Sequence, residues 1–385
     1  MTRRFGDAPG GGSRPALRAA RAATPSGRIV IAAGGTGGHF FPAEALASEL
    51  VARGHTIALM CDARSGGLTS NVFAQGERFV LSGAGIAGRG FTRAVTAAAG
   101  LAAGTLQARA ILHRITPAAI VGFGGYPSVG PALATRLLRR RPVLILHEQN
   151  GVLGRANRTL ARFADVLALS LDGTTHVPPG VRREVTGNPV RPAIKPAPYS
   201  LPGDQFELLI LGGSLGARVL SDVVPAALAV LPSRGSLRVV QQCRAEDLDR
   251  VRAAYALAGI AAELAPFFDD IPDRLARAHL VVARAGASTV AELAIVGRPA
   301  ILVPLPHAID DHQTANARAL ANVGGAWVIP QPQFTRDALA AHLADLIGNP
   351  TRLAEAAAKA ASEGHADAAA RLADLTERTI ALETH

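Results

Sequence analysis

Apolar and polar positions fall in short alternating blocks along this chain, and the block order repeats. Arg28–Ala33 is an apolar run of the kind that forms a parallel strand buried on both faces. After it come Gly34-Gly35-Thr36-Gly37-Gly38-His39 and then Pro42–Arg53, where Ala45, Leu46, Leu50 and Val51 share one side of a predicted helix that Gly54 stops. His55–Cys61, Ala118–Val121, Val143–His147 and Asp165–Ser170 read as further short strands, most of them ending in polar loops. A stretch holding Pro189, Pro192, Pro196, Pro198 and Pro202 then breaks the rhythm, because it is stiff and cannot be helical. Beyond it the alternation restarts. Strands are predicted at Phe206–Leu211, Leu237–Gln241, Leu280–Ala283 and Ala300–Val303, and helices at Arg218–Ala229, Ala245–Ala258, Ser288–Val296 and Gln313–Ala321. The Ala-rich tail Thr351–Leu382 reads as helix.

Repeated strand–helix order implies a parallel sheet covered by helices on both faces, with ligands at the carboxyl ends of the strands. Two such series on either side of a Pro-rich break predict two α/β domains facing a central cleft, over 28–188 and 189–365. A length of 385 residues suits two domains of ordinary size, and 49% apolar with 18% charged residues is a globular composition.

The net charge of +10 raises the possibility of a nucleic-acid partner. The charge is spread along the chain without interleaved aromatics, and the abundance of Ala and Arg points to coding bias, so no nucleic acid is expected. Cys61 and Cys243 are far apart and in no CxxC pattern, which argues against a disulfide framework or zinc site and fits a reducing compartment. Residues 1–27 carry Arg3, Arg4, Arg14, Arg18 and Arg21 but no apolar stretch of the signal-peptide kind, and read as a disordered basic extension or the product of a misplaced start codon. No segment reaches the ~20 apolar residues of a membrane span; the nearest, Ala94–Ala108, is bounded by Arg93 and Arg109.

Candidate chemistry gathers in the loops after the strands. The first glycine loop has a counterpart in Gly212-Gly213-Ser214-Leu215-Gly216-Ala217. Glycines let a backbone approach a phosphate or sugar, and the helix start behind them favours negative charge. The same loops could be plain tight turns; the pairing, and His39 at the end of the first, weigh toward ligand binding. Histidine titrates near neutrality and can take a proton from a hydroxyl. Gly122-Phe123-Gly124-Gly125-Tyr126-Pro127-Ser128 and His147-Glu148-Gln149-Asn150 follow strands at the same sheet edge. In the second half, Arg284-Ala285-Gly286-Ala287-Ser288-Thr289 opens a helix with Glu292 one turn on. Its amides suit a diphosphate and its carboxylate a ribose, although a capping box would use Ser288 and Glu292 with no ligand. His307, Asp310, Asp311 and His312 suggest a metal, but no matching ligand cluster appears elsewhere, and no metal is expected. Against a nicotinamide enzyme, GGTGGH is not a G-x-G-x-x-G motif, and only Asp62 stands where an acidic residue is expected. Gly83–Arg109 mixes Ile86, Phe91, Val95 and Leu101 with Arg89, Arg93 and Arg109, a pattern that fits either an ordinary basic surface or an interfacial helix.

Taken in order, GGTGGH, GFGGYPS, HEQN, GNPVR, GGSLGAR, RAGAST with Glu292, and DDHQ resemble the MurG family of N-acetylglucosaminyltransferases, from about Arg28 to the C-terminus. The resemblance implies a GT-B fold: two Rossmann-like domains around a cleft, with the tail at 366–385 packing back on the N-terminal domain. It implies inverting transfer of N-acetylglucosamine from UDP-GlcNAc to the 4-hydroxyl of undecaprenyl-diphosphate-linked muramyl-pentapeptide, with no cofactor. The protein would lie peripherally on the cytoplasmic face of the bacterial inner membrane, against an anionic surface. By the same resemblance His39 is the general base, and Gly124, Gly125 and Tyr126 meet the acceptor. Donor contacts fall on Thr36, Gly37, Gly38, Asn150, Arg191, Gly213, Ser214, Phe268, Ser288, Thr289, Glu292 and Gln313. Of these, Arg191, Gly213 and Ser214 would sit at the diphosphate, the Phe268 backbone at uracil, Glu292 at the ribose, and Gln313 with Asn150 at the sugar. A GT-B enzyme with another acceptor, or a UDP-GlcNAc epimerase, is the alternative.

Overall fold

The computed structural model describes residues 27–34, 37–63, 70–82, 91–213, 216–232 and 234–383, with backbone alone at 91–95 and 234. The first half runs β1 (Arg28–Ala32), α1 (Gly37–Ala52), β2 (Thr56–Cys61), α2 (Asn71–Ala74), β3 (Glu77–Val80), α3 (Phe91–Ile115), β4 (Ala119–Gly122), α4 (Tyr126–Thr135), β5 (Val143–Glu148), α5 (Arg155–Leu160), β6 (Val166–Leu169) and β7 (Arg183–Val185). These strands form one parallel sheet in the order β3-β2-β1-β4-β5-β6-β7. The second half runs β8 (Phe206–Leu211), α6 (Arg218–Ala229), β9 (Leu237–Gln242), α7 (Leu248–Leu257), β10 (Ala262–Ala265), α8 (Ile271–Arg277), β11 (Leu280–Ala283), α9 (Ala287–Val296), β12 (Ala300–Leu302), α10 (His312–Asn322) and β13 (Ala326–Val328). Its sheet is also parallel, in the order β10-β9-β8-β11-β12-β13. Three helices close the chain: α11 (Arg336–Ile347), α12 (Pro350–Ser362) and α13 (Ala368–Glu383).

Alternation along the central strands divides each core into two layers. In β1, Ile29 and Ile31 face α1 and α13, whereas Val30 and Ala32 face α3 and α4. In β8, Leu208 and Ile210 face α6, α7 and α11, whereas Leu209 and Leu211 face α9 and α10. Each fully buried aliphatic side chain contributes roughly 1.5–3 kcal/mol. The chain order reverses beside β1 and beside β8, so the loops after β1, β4, β8 and β11 open at the two switch points, where such sheets bind ligands.

The final helix crosses back to the first sheet. Leu372, Ala373 and Leu375 of α13 lie in the same apolar layer as Ile29, Leu46 and Ile145. The half-buried guanidinium of Arg53 fixes it there, donating to Asp374 at 2.6 Å, Glu377 at 2.9 Å and the Ala370 carbonyl at 3.0 Å. The Pro-rich connector is held by Arg298, only 1% exposed, which donates to the carbonyls of Ala197, Pro198, Leu275, Ala276, Val296 and Gly297.

Several element bounds differ from the sequence pattern. The first helix begins at Gly37 rather than Pro42, so His39 lies inside its first turn. Pro42 is tolerated because the bond it forgoes is to the carbonyl of exposed Gly38. The segment 245–258 starts as a 3-10 turn over Ala245–Asp247 before α7. The tail is two helices, broken where Glu363 caps α12 and Gly364 comes so close to α9 that a Cβ there would lie 2.7 Å from the Ala294 carbonyl. Ala94–Ala108 is part of the 25-residue α3. Among the described residues no helix is long and apolar enough to cross a membrane.

Candidate active site

The first wall of the cleft is built on the carboxyl ends of β1, β4 and β5. Gly124 and Gly125 take φ of +80° and +68°, which glycine adopts without strain. The turn brings the backbone against His39: a Cβ at Gly125 would lie 3.6 Å from its Cδ2 and Nε2. Ser128 secures this loop by bonding to the carbonyls of Ala32 and Gly124, each at 2.9 Å. The Tyr126 hydroxyl is buried with no hydrogen-bond partner. Gly37 and Gly38 begin α1, and Thr36 lies outside the described residues.

Behind His39 lies a buried polar network. His39 Nδ1 is 3.1 Å from Gln149 Oε1. Gln149 Nε2 donates to the Phe123 carbonyl and to His147 Nδ1, both at 3.1 Å, and His147 Nε2 is 3.1 Å from the Gly187 carbonyl. Burial pulls the His147 pKa down to about 4, which keeps the ring neutral. Glu148, 2% exposed, accepts from the Asn150 backbone and side chain through Oε1, and from the Gly154 amide and Asn157 through Oε2. Four donors on one carboxylate shape the loop that carries Asn150.

The second wall rises from β8, β11 and β12. Gly213 and Gly216 take φ of +78° and +67°, and a Cβ at Gly212 would lie 2.6 Å from the Ala217 nitrogen, so the turn after β8 depends on glycine. Ser214 lies outside the described residues. At the start of α9, Gly286 is the N-cap and makes no side-chain cap bond. The Ser288 hydroxyl is buried without a partner, and Thr289 is half-buried beside it. Glu292 pairs with Arg191 at 3.1 Å instead of reaching back to the helix start, so no capping box forms. Burial raises the Glu292 pKa, and Arg191 opposes that rise. The Arg191 guanidinium also lies 5.4 Å from the centroid of Phe41 on the opposite domain, and its Nε is buried and unpartnered. The Phe268 side chain is in the core, with Arg274 stacked 4.1 Å from its ring centroid.

Gln313 accepts from the Leu305 amide at 2.9 Å and closes the loop before α10. Within that loop His307, Asp310 and Asp311 have φ of +66°, +53° and +53°. Asp310 pairs across the cleft with Arg155 and Arg158 at 3.3 and 3.2 Å. Among the described residues no three His, Cys, Asp or Glu side chains gather as a metal site. A firmer link between the walls is Asn316 of α10, 1% exposed. It accepts from the Gly151 amide at 2.8 Å and donates to Asn150 Oδ1 and the Ala285 carbonyl, both at 3.1 Å.

The structure thus brings His39 and Gly124–Tyr126 to one wall and Arg191, Gly213, Ser288, Thr289, Glu292 and Gln313 to the other, with Asn150 bridging through Asn316. Sequence reasoning singled out no role for His147, Glu148, Gln149 or Asn316. A signal existed in HEQN, a run of polar residues at the end of a fully buried strand.

The Glycosyltransferase family 28 N-terminal domain matches residues 29–168, and the Glycosyltransferase family 28 C-terminal domain matches residues 207–372. A UDP-N-acetylglucosamine--N-acetylmuramyl-(pentapeptide) pyrophosphoryl-undecaprenol N-acetylglucosamine transferase of Granulibacter bethesdensis is 63% identical over 359 residues, covering 91% of this chain and 94% of the relative. The chain belongs to the MurG family within glycosyltransferase family 28. The similarly named protein of Acidiphilium cryptum is 55% identical, with 92% and 97% covered. The crystal structure of Acinetobacter baumannii MurG superposes with a TM-score of 0.77 at 31% identity, over 92% of this chain and 100% of that one. As a member of this family the chain is a glycosyltransferase with the GT-B architecture, two parallel-sheet α/β domains around a cleft.

Proposed function

We propose that this glycosyltransferase moves N-acetylglucosamine from UDP-GlcNAc to the 4-hydroxyl of a muramyl-pentapeptide carried on undecaprenyl diphosphate, the step from lipid I to lipid II of peptidoglycan synthesis. The observation that carries this reading is the pairing of two unlike walls. One presents His39 beside a glycine loop. The other presents the start of α9 with Ser288 Oγ and Arg191 Nε buried and unpartnered.

A sugar hydroxyl is a poor nucleophile until a base removes its proton. His39 Nε2 accepts that proton as the acceptor oxygen bonds to the anomeric carbon of the donor. The bond from that carbon to phosphate breaks, and its electron pair leaves with UDP. Charge builds on the diphosphate, where the positive end of α9 and the Arg191 guanidinium stabilise it. A single displacement inverts the anomeric centre and needs no enzyme nucleophile. Those groups supply the positive charge, so no metal is called for. Glu292 would accept from the ribose hydroxyls, the Phe268 backbone would meet uracil, and Gln313 with Asn150 would hold the sugar.

The acceptor is a membrane lipid, and the exposed surface of α3 and of the turn that follows α4 suits an anionic bilayer. Leu106 and Leu137 are 61% and 51% exposed, Arg109 bonds to the Leu137 carbonyl, and Arg139 and Arg140 are exposed alongside. Ile86 lies outside the described residues, as does the side chain of Phe91, so the described face rests on these residues instead.

Incubating the protein with UDP-GlcNAc and a lipid I analogue tests the reaction. Release of UDP matched by a disaccharide product is expected. Release of UDP without acceptor, or conversion of the free nucleotide sugar, would overturn it.

A further inference from the structure

The network behind His39 fixes more than the ring's place. Gln149 is 3% exposed and His147 is fully buried, so each polar atom must meet a protein partner. Gln149 faces the Phe123 carbonyl, which can only accept, and the atom toward it must be the amide nitrogen. The other hydrogen of that nitrogen goes to His147 Nδ1 at 3.1 Å, with the His147 carbonyl farther off at 3.4 Å. At its far side His147 Nε2 faces the Gly187 carbonyl and must carry the hydrogen. A neutral His147 with hydrogen on Nε2 has a lone pair on Nδ1, as the Gln149 amide requires. Backbone carbonyls therefore fix both ends of the chain, and only Gln149 Oε1 remains to face His39. An amide oxygen cannot donate, so His39 Nδ1 must.

We propose that Gln149, itself oriented by His147, is a positioning residue that holds neutral His39 as the Nδ1–H tautomer and so leaves the Nε2 lone pair free toward the acceptor loop. This rests on the reading of His39 as the base. A solvated neutral imidazole favours hydrogen on Nε2, and that tautomer would turn an N–H, not a lone pair, toward the incoming hydroxyl. The 3.6 Å approach of a Gly125 Cβ to Nε2 marks that side of the ring as facing the loop. Catalytic histidines are often oriented by a carboxylate, which also raises their basicity. A neutral amide fixes the tautomer without adding a charge, and the carboxylate next in sequence, Glu148, is occupied by four other donors.

The direct test is nitrogen-15 NMR of the full-length protein labelled at histidine, recorded at alkaline pH, with His39→Ala to assign the signal. Hydrogen on Nδ1 and a bare Nε2 are expected. Hydrogen on Nε2 in the wild-type protein would overturn the proposal, and this arm does not depend on any variant of Gln149 folding. Gln149→Met keeps the bulk but removes the acceptor. It should move His39 toward the Nε2–H form and lower kcat about tenfold or more, within the roughly 10²–10⁴-fold that a general base supplies, while UDP affinity is retained. A folded Gln149→Met protein with unchanged tautomer or unchanged kcat would contradict it. If His39→Ala itself keeps near-wild-type turnover, the base assignment falls and takes the catalytic role of Gln149 with it. A wrong tautomer with an essential His39 defeats the positioning role alone.

Discussion

Arg191 Nη2 stands 3.1 Å from Glu292 Oε1, which makes each of two expected donor contacts the partner of the other. Burial raises the carboxyl and the guanidinium holds it back toward ionisation. A raised folded pKa means that this group's contribution to stability is present below its ordinary value of 4.5 and is lost as pH rises through the raised value. Glu292→Gln should flatten that part of the stability–pH curve of the free protein, measured by denaturant melts. The same variant should weaken UDP-GlcNAc by about 10- to 100-fold, since hydrogen bonds to a charged group contribute roughly 1.5–3 kcal/mol. Wild-type affinity should fall as pH drops through the raised pKa, and calorimetry should find that fall missing in Glu292→Gln.

Asn316 is expected to hold the two walls in register. Asn316→Ala strips the buried Gly151 amide of its acceptor and Asn150 of its donor. Leaving one such group unpaired costs about 1–3 kcal/mol. A lower melting temperature together with weaker UDP-GlcNAc binding should result, whereas unchanged values for both would remove the bridge from the site.

Arg298 anchors the connector through six carbonyls. Arg298→Met should destabilise the protein by roughly 3 kcal/mol or more, because several buried acceptors lose their donor at about 1–3 kcal/mol each. Denaturant unfolding reads this directly. The surviving folded fraction should still bind UDP-GlcNAc, since Arg298 lies away from the cleft walls.

Binding to anionic vesicles should weaken as salt rises, because the arginines around Leu106 and Leu137 act partly through screened charge. Leu106→Ser with Leu137→Ser should reduce vesicle binding and leave UDP binding intact. Equal flotation of the double variant would dismiss this face.

The central strands were legible because burial on both faces leaves an unbroken apolar run, and β8 and β11 match the pattern to the residue. The edge strands β3, β7 and β10 were not, since Glu77–Val80 is largely exposed, Arg183–Val185 and Ala262–Ala265 are only half-buried, and none carries such a run. The glycine loops announced both switch points, because the positive φ of Gly124, Gly125, Gly213 and Gly216 is a conformation that glycine adopts without strain. The relay through Gln149 was hidden for the opposite reason. Its meaning lies in which atoms meet Phe123, His147 and Gly187, and those partners come from three separate segments. Arg298 was equally silent, because a buried arginine looks like a surface one until its carbonyls are in place.

The pairing of a base on one wall with a leaving-group site on the other makes a statement about stereochemistry. Proton NMR of the disaccharide formed from UDP-GlcNAc, which carries an α-linked sugar, and a lipid I analogue reads the linkage and the anomeric configuration together. A β linkage to the 4-hydroxyl is expected, with its formation lowered about 10²–10⁴-fold in His39→Ala. An α linkage, or a β product formed at an undiminished rate by His39→Ala, would contradict direct displacement with His39 as the base.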